Sequence, residues 1–131
     1  IEAWIKPKSF SWNAGIVSKY QSPNAKGYYL RLTSDPDFTG ISFCGSISPT
    51  GVLQSGKWYH IAGVHENGKN TIYINGVKQN SVGSGEDINE NNNPLTIGVD
   101  YLDSPRYFDG LIDEVRIWNR VRSEKDIREN M

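Results

Sequence analysis

The fold is decided by residues 57–77, KWYHIAGVHENGKNTIYINGV. Residues 57–65 alternate between two faces, which is the period of a β-strand, and residues 71–75 resume the pattern. The dipeptides Asn67-Gly68 and Asn75-Gly76 end the two runs. Asn and Gly tolerate positive φ at the central positions of a tight hairpin turn. Two such turns in succession predict a three-stranded antiparallel meander.

The rest of the chain divides into short strand-like segments separated by Gly, Pro and Asn, which is typical of a sandwich or barrel. The further predicted strands cover residues 2–5, 15–20, 28–33, 40–44, 95–99 and 107–118. In the third of these, Tyr28, Leu30 and Leu32 share one face, while Tyr29, Arg31 and Thr33 share the other. Ser123 is predicted to cap a final helical turn, with Asp126 at the capping-box spacing. We therefore expect an all-β domain with a short C-terminal helical turn.

Length and charge exclude several classes of protein. The chain has 131 residues, with 14 Lys and Arg against 15 Asp and Glu, so its net charge is −1. A nucleic-acid-binding domain would carry a basic surface to neutralise phosphates, and we expect no such partner. No apolar run approaches the roughly 18 residues of a membrane span. The length suits a single domain over residues 1–131, and a chain that begins with Ile1 is expected to be a fragment of a larger protein.

Five segments of the chain carry a family resemblance. They are IEAWIKP at 1–7, GKWYHIA at 56–62, IYING at 72–76, LTIG at 95–98 and FDGLIDEVRIWNR at 108–120. Together, in this order, they resemble the laminin-G-like domain within the concanavalin A-like lectin and glucanase superfamily. The resemblance spans nearly the whole chain and implies a two-sheet antiparallel jelly-roll sandwich.

The resemblance also implies a role. We expect a non-catalytic recognition module of a secreted or cell-surface protein, bacterial in origin, that binds carbohydrate and could be appended to a secreted glycoside hydrolase. Adhesion to an extracellular protein, or structural assembly, is the alternative. Relatives usually have a strand before the segment at 1–7 and another after the final helical turn, and neither is evident. Because an unpaired sheet edge invites pairing with another chain, self-association through sheet edges is a further expectation.

Catalysis by this fold needs a particular arrangement of carboxylates. Retaining glycoside hydrolases of the wider fold carry Glu-x-Asp-x-Glu on one strand, because residues two apart lie on the same face. No such strand is found, and Asp113 and Glu114 are adjacent, so a strand would send them to opposite faces. His60 lies within the alternating run and is expected to be a packed strand residue. We therefore predict that the domain is not an enzyme.

Calcium is the metal that the side chains favour. Ca²⁺ takes six to eight oxygen ligands from carboxylates, amides and carbonyls, and relatives of the fold often bind it as a structural ion. The predicted ligands are Asp87, Glu90, Asp109 and Asp113. Asp113 falls among Leu111, Val115 and Ile117 on one predicted strand face, where a carboxylate is costly unless it is paired or bound to metal. A buried ion pair, or hydrogen bonds from loop amides, would satisfy it equally well.

A glycan site would combine exposed aromatic rings with polar groups that bind hydroxyls. We expect it on the polar loops at 86–93 and 100–107. The predicted ligand-binding residues are Trp12, Asp100, Tyr101, Asp103, Arg106 and Tyr107. Trp12 lies in a separate loop-like stretch. It is included because a large aromatic ring is not expected in a loop unless it has a role such as contact with a ligand. Trp4, Trp58 and Trp118 occur in strand patterns and are expected in the core, and solvated turns are the alternative reading of both loops.

Overall fold

The computed structural model describes residues 1–21, 26–33, 37–83 and 88–131. Its elements, in chain order, are β1 (Glu2–Pro7), β2 (Gly15–Gln21), β3 (Lys26–Leu32), β4 (Ile41–Phe43), β5 (Ser46–Ile47), β6 (Tyr59–Glu66), β7 (Lys69–Ile74), β8 (Val77–Lys78), β9 (Thr96–Ile97), β10 (Val99–Asp100), β11 (Arg106–Tyr107), β12 (Gly110–Arg116) and α1 (Glu124–Glu129).

The strands form two sheets and a small hairpin. Within the described residues, sheet A has the order β12-β1-β6-β7-β8, sheet B has the order β5-β4-β3-β2-β9, and β10 pairs with β11. The pairings are antiparallel throughout this part of the chain. The predicted all-β fold of two antiparallel sheets with a short C-terminal helix is thus confirmed.

The meander β6-β7-β8 has the predicted turns. Asn67 and Gly68 have φ of 50° and 73°, and Asn75 and Gly76 have 50° and 72°. Positive φ at both central residues gives a turn whose twist matches that of the flanking strands. Local sequence therefore sets the pairing register of this part of sheet A.

The core lies between the sheets. Sheet A contributes Ala3, Ile5, Ile61, Ile72 and Ile74, and sheet B contributes Ile16, Val17, Leu30, Leu32, Ile41 and Phe43. In β3, Leu30 and Leu32 are in this core and Tyr28 packs against it. The alternation of a strand places Tyr29 and Arg31 on the opposite, outer face of sheet B. The predicted division into two faces is confirmed for residues 28–32, and Thr33 lies beyond the end of β3.

The outer face of sheet A is covered by the C-terminal helix. Ile127 of α1 is buried with Ala62 and Tyr73, and Val64 packs beside them. Ser123 caps the helix by accepting a hydrogen bond from the Asp126 backbone, and the Asp126 carboxylate accepts one from the Ser123 backbone. This reciprocal pair is the predicted capping box.

His60 lies on the same outer face and is 1% exposed, so the prediction of a packed residue is confirmed. Its ring meets that of Trp4 edge to face, and its Nε2 is 3.7 Å from the Glu2 carboxylate. The indole of Trp118 donates a hydrogen bond to Glu2.

However, Trp118 is 37% and Trp58 42% exposed, so the expectation that both belong to the core is wrong. Trp58 directly precedes the first residue of β6, Tyr59.

Strand β12 contains a β-bulge that corrects the prediction for Asp113. Trp4 pairs with Asp113 but Glu2 pairs with Arg116, so β12 has one more residue than β1 between these pairs. Glu114 has φ 49°, and Asp113 is exposed, with its carboxylate accepting a hydrogen bond from the Glu114 backbone. Ile112 and Val115 pack against the core instead. The expected apolar face through Asp113 is wrong because the bulge shifts the alternation.

Two predicted strands are shorter than expected. The strand predicted at 95–99 is split by Gly98, so that β9 joins sheet B while β10 leaves it to pair with β11. The run predicted from residue 107 begins as strand β12 only at Gly110.

In sheet A, β1 lies between β12 and β6, and the outer strands are β12 and β8 among the residues described. Self-association through such edges stays a prediction.

Candidate functional site

The centre of the candidate site is Asp100, which is fully buried on the outer side of sheet B. Its Oδ1 accepts a hydrogen bond of 2.6 Å from the Ser18 hydroxyl. Its Oδ2 accepts one of 2.7 Å from Nη1 of Arg31 and one of 2.8 Å from Nη2 of Arg106. Hydrogen bonds to ionised groups are among the stronger ones in proteins. This network joins β2, β3 and the β10–β11 hairpin.

The hairpin reaches this position because β2 begins with a residue that has no side chain. A Cβ on Gly15 would lie 2.2 Å from the backbone nitrogen of Asp100 and 2.3 Å from the carbonyl carbon of Val99. Any larger residue would push β10 outwards. The missing side chain at position 15 therefore lets the Asp100 carboxylate reach Ser18 and Arg31.

Aromatic rings hold both guanidinium groups. The guanidinium carbon of Arg31 is 3.7 Å from the ring centre of Tyr29, and Tyr20 meets Tyr29 edge to face at 5.1 Å. The guanidinium carbon of Arg106 is 5.0 Å from the ring centre of Trp12 and 5.2 Å from that of Tyr101. Cations placed over aromatic faces at these distances are attracted by the ring quadrupole. The arginines are thus fixed before any ligand arrives.

An open cleft lies above this layer. Its volume is about 230 Å³, and it is lined by Trp12, Tyr20, Arg31, Tyr101, Ser104 and Arg106. Trp12 is 52% exposed, so much of its ring is available for contact. A second hollow of about 130 Å³ also contacts Tyr20 and Tyr101, and its other lining residues include Asn93, Thr96 and Asp103. We call the first hollow the Trp12 cleft.

Burial lowers the pKa of Arg106 from its ordinary value, and the neighbouring cation Arg31 lowers it further. Asp100 acts in the opposite direction, because a nearby carboxylate favours the charged guanidinium. Among the described residues, two guanidinium groups share one carboxylate here, so one unit of positive charge is left over. The Trp12 cleft therefore offers a cationic floor beneath aromatic walls.

Of the predicted ligand-binding residues, the structure brings together Trp12, Tyr101 and Arg106, with Asp100 directly below them. Asp103 lines the second hollow instead. Tyr107 is 67% exposed and does not line the Trp12 cleft, because it follows Arg106 in β11 and points to the opposite face. Its role in ligand binding stays a prediction.

Sequence reasoning missed Ser18, Tyr20 and Arg31. Ser18 and Tyr20 are two residues apart on β2, and so are Tyr29 and Arg31 on β3, so each pair shares one face of its strand. The polar alternation on β3 was visible, but it gave no sign that a hairpin some seventy positions later would cover that face. A solvated outer face and a ligand site both give polar residues at every second position of a strand, so the sequence does not distinguish them.

The described residues among those predicted to bind calcium do not form a cluster of three. Asp109 accepts a hydrogen bond from the Ser9 hydroxyl, Asp113 is exposed at the bulge, and Glu90 lies exposed in the polar loop. Asp87 lies outside the described residues. Within the described part of the chain, no three carboxylate, imidazole or thiol groups come close enough to hold a metal ion. Structural calcium stays a prediction.

Comparison with known proteins identifies the family. A family model of laminin G type, described as the concanavalin A-like lectin/glucanases superfamily, matches residues 1–128. The chain belongs to this superfamily. The resemblance carried by the five sequence segments is confirmed. A search of curated proteins found no match, and no helix in the described part of this superfamily member is long and apolar enough to cross a membrane.

Solved structures of similar fold come from several organisms. A Bacteroides ovatus protein to which carbohydrate binding has been attributed is 25% identical, with a TM-score of 0.72 over 99% of this chain and 39% of that one. Domain 4 of AbnA, a GH43 extracellular arabinanase of Geobacillus stearothermophilus solved with arabinotriose, is 23% identical, with a TM-score of 0.71 over 98% and 63%.

A mutant Trypanosoma rangeli sialidase with trans-sialidase activity is 18% identical, with a TM-score of 0.66 over 97% of this chain and 21% of that one. The superfamily domain described here therefore spans between a fifth and two thirds of these three chains. The likeness to the arabinanase domain and to the sialidase is one of fold.

Proposed function

We propose that this domain is a non-catalytic carbohydrate-binding module of an extracellular protein, and that the Trp12 cleft is its binding site. The observation that carries the proposal is the exposed Trp12 ring, set beside Tyr101 and above Arg106. Sugars present apolar C–H faces that stack on such rings, and hydroxyls that polar groups bind. Trp12 and Tyr101 supply the former contacts, and Ser104 with the two arginines supplies the latter.

The chemistry of the cleft supports binding rather than hydrolysis. The described residues that line it include no carboxylate. Asp100, which lies below them, is fully buried and accepts hydrogen bonds from two guanidinium groups and a hydroxyl. A retaining glycosidase needs two carboxyl groups about 5 Å apart flanking the scissile bond. Asp100 is engaged in structure and is not free to donate a proton or attack a sugar.

The similar structures support the same role. The Bacteroides ovatus protein has had carbohydrate binding attributed to it, and the arabinanase domain was solved with arabinotriose. By analogy, this domain would be attached to a secreted enzyme or surface protein and would hold it against a polysaccharide. This analogy concerns the role and leaves the sugar open.

The proposal is tested with a matched pair of tryptophan variants. Binding to a panel of soluble polysaccharides and to arabinotriose is measured by isothermal titration calorimetry. Trp12→Ala should weaken binding at least tenfold, about 1.4 kcal/mol, because a central aromatic contact is lost. Trp58→Ala removes a ring that is 42% exposed and lies outside the cleft, and it should leave the affinity unchanged. Equal losses in both variants, or no binding by the unmodified domain, would reject the cleft as a glycan site.

Protein adhesion is the second candidate, and a different groove favours it. This groove has a volume of about 370 Å³ and is lined in part by Tyr28, Phe43, Ile117, Trp118 and Val121. Its exposed apolar side chains are of the kind found at protein-binding surfaces. A domain that binds no glycan, but loses binding to a surface protein when Ile117 is replaced by Ser, would support adhesion instead.

A further inference from the structure

The Trp12 cleft contains more positive charge than its own carboxylate neutralises. Arg31 and Arg106 both donate to the same oxygen, Oδ2 of Asp100, at 2.7 and 2.8 Å. The ionisable groups that act on Arg106 are Asp100, Arg31 and the phenols of Tyr20 and Tyr101. Among the described residues, one carboxylate therefore faces two guanidinium groups, which leaves a local charge of about +1 in a chain whose overall charge is −1. The excess cation is a local feature of this site.

Within the described part of the chain, both guanidinium groups also keep unused donors. Each has five N–H bonds, and each gives Asp100 a hydrogen bond from one nitrogen only. The Nε atoms of Arg31 and Arg106 are buried and have no hydrogen-bond partner among the residues described. Side-chain exposure is 13% for Arg31 and 14% for Arg106, so water can hydrogen-bond only some of their remaining N–H donors. An anion that enters the cleft would meet two oriented, incompletely bonded cations.

The shape of the cleft restricts what that anion can be. Its volume of about 230 Å³ is below the roughly 300–1,000 Å³ of pockets that enclose drug-sized ligands, so it accommodates one ring of a longer chain. The exposed face of Trp12 favours a ligand with an apolar ring surface. A bare phosphate or sulfate would use the arginines and leave the rings uncovered, whereas a sugar ring bearing a carboxylate would engage both.

We propose that the Trp12 cleft is specific for a carboxylated sugar, a uronic acid unit within a polysaccharide, whose carboxylate binds Arg31 and Arg106 while its ring stacks on Trp12. This inference rests on the proposed function and names the ligand class of the same site. Arginine is suited to the task because its planar fork matches the two oxygens of a carboxylate.

The burial of Arg106 supports this specificity. Its pKa is lowered chiefly by desolvation and also by Arg31, because both disfavour the charged guanidinium. A ligand carboxylate would supply the missing counter-charge, and a neutral sugar would not.

The test uses matched polysaccharides. Pectate, glucuronoxylan and alginate are each compared with their methyl-esterified forms, which keep the rings and remove the charge, and arabinan serves as a neutral glycan. We expect at least one acidic polymer to bind, and its ester to bind at least tenfold more weakly. The ratio should shrink as sodium chloride is raised from 20 to 500 mM, since salt screens partly exposed charges.

Two charge variants locate the effect. Arg106→Gln should bring the acid-to-ester ratio close to one, while Lys78→Gln, an equal change of charge on β8 of the other sheet, should leave the ratio unchanged. Arg106→Lys, which keeps the charge and loses the fork, should give an intermediate ratio. Melting curves identify any variant that fails to fold, and the lysine variant then carries the comparison.

The outcomes separate this inference from the proposed function. Tight binding to arabinan or to esters, with no preference for the acids, would overturn uronate specificity and leave glycan binding intact. Binding to none of the polymers would overturn both. Binding to heparin with no binding to any non-sulfated uronate polymer would show a sulfate site and would also overturn the inference.

Discussion

At the scale of single residues, two positions connect the sheets to the properties of the whole domain. Gly63 on β6 lies directly against the ring of Phe43 on β4, so that the sheets meet without an intervening side chain. His60 lies on the opposite face of the same strand, buried beside Glu2 and Trp4. The first position is sensitive to volume and the second to charge.

Gly63→Ala should destabilise the domain by roughly 1–3 kcal/mol, because the core there has no room for a methyl group. A Cβ at this position would lie 2.4 Å from the ring of Phe43. Urea unfolding followed by circular dichroism measures the change. Adding Phe43→Leu should recover part of the loss through a favourable coupling energy. Strictly additive effects of the two substitutions would show that this contact does not limit packing.

His60 should make stability depend on pH. Burial lowers its pKa from the ordinary 6.5, and it outweighs the opposing influence of Glu2, while Arg116 lowers it further. In the window below pH 6.5 the unfolded chain therefore binds a proton that the folded chain rejects. The free energy of unfolding should therefore keep the full contribution of neutral His60 well above pH 6.5 and should fall as the pH drops through 6.5 towards 5.

The measurement is urea unfolding at several pH values, with His60→Gln as the comparison. The variant should show a flatter dependence between pH 7 and 5 than the unmodified domain. Identical slopes for the two proteins would mean that His60 is not the titrating group.

At the scale of elements, the short helix α1 acts as a cover for sheet A. Its Ile127 is fully buried against Ala62 and Tyr73, while the opposite side of the helix, including Lys125, faces solvent. An isolated helix of six residues is not stable in water, so its formation depends on this contact and on the Ser123 cap.

Ile127→Ala should cost about 2–5 kcal/mol, the range for truncating a buried aliphatic side chain. Lys125→Ala on the same helix should cost less than about 0.5 kcal/mol, because it removes only an exposed ion pair with Glu129. Thermal melting monitored by near-UV circular dichroism distinguishes the two. Similar small losses would indicate that the outer face of sheet A is stable without the helix.

At the scale of the whole molecule, two predictions concern what the domain carries and how it assembles. Bound structural calcium would add about 2.7 kcal/mol of stability at one hundred times the dissociation constant. If calcium is held through the loop that includes Asp87, melting in excess EDTA should give a lower Tm than melting in 1 mM calcium, and superimposable curves would contradict it.

Association through β12 or β8 should appear as a dimer in light scattering, and a monomer at all concentrations would contradict that.

Prediction succeeded where structure is local. The turns at Asn67-Gly68 and Asn75-Gly76, the two faces of β3 and the capping box of Ser123 all depend on residues within a few positions of one another. It failed at Asp113, where one extra residue relative to β1 reverses the alternation. A bulge is defined against the partner strand, so β12 alone does not reveal it.

The same division holds for the molecule as a whole. The sequence by itself determined the β6-β7-β8 meander and the polar loop that contains Tyr101 and Arg106, because hydrophobic alternation and turn chemistry depend on neighbouring residues. The superfamily and the two-sheet fold were implied by the resemblance that five of its segments carry. Only the tertiary structure decided that Trp12 stands beside Arg106 and that Arg31 shares the carboxylate of Asp100. These residues lie on separate strands and loops, and their contact depends on how closely β10 approaches Gly15, a distance set by packing between elements.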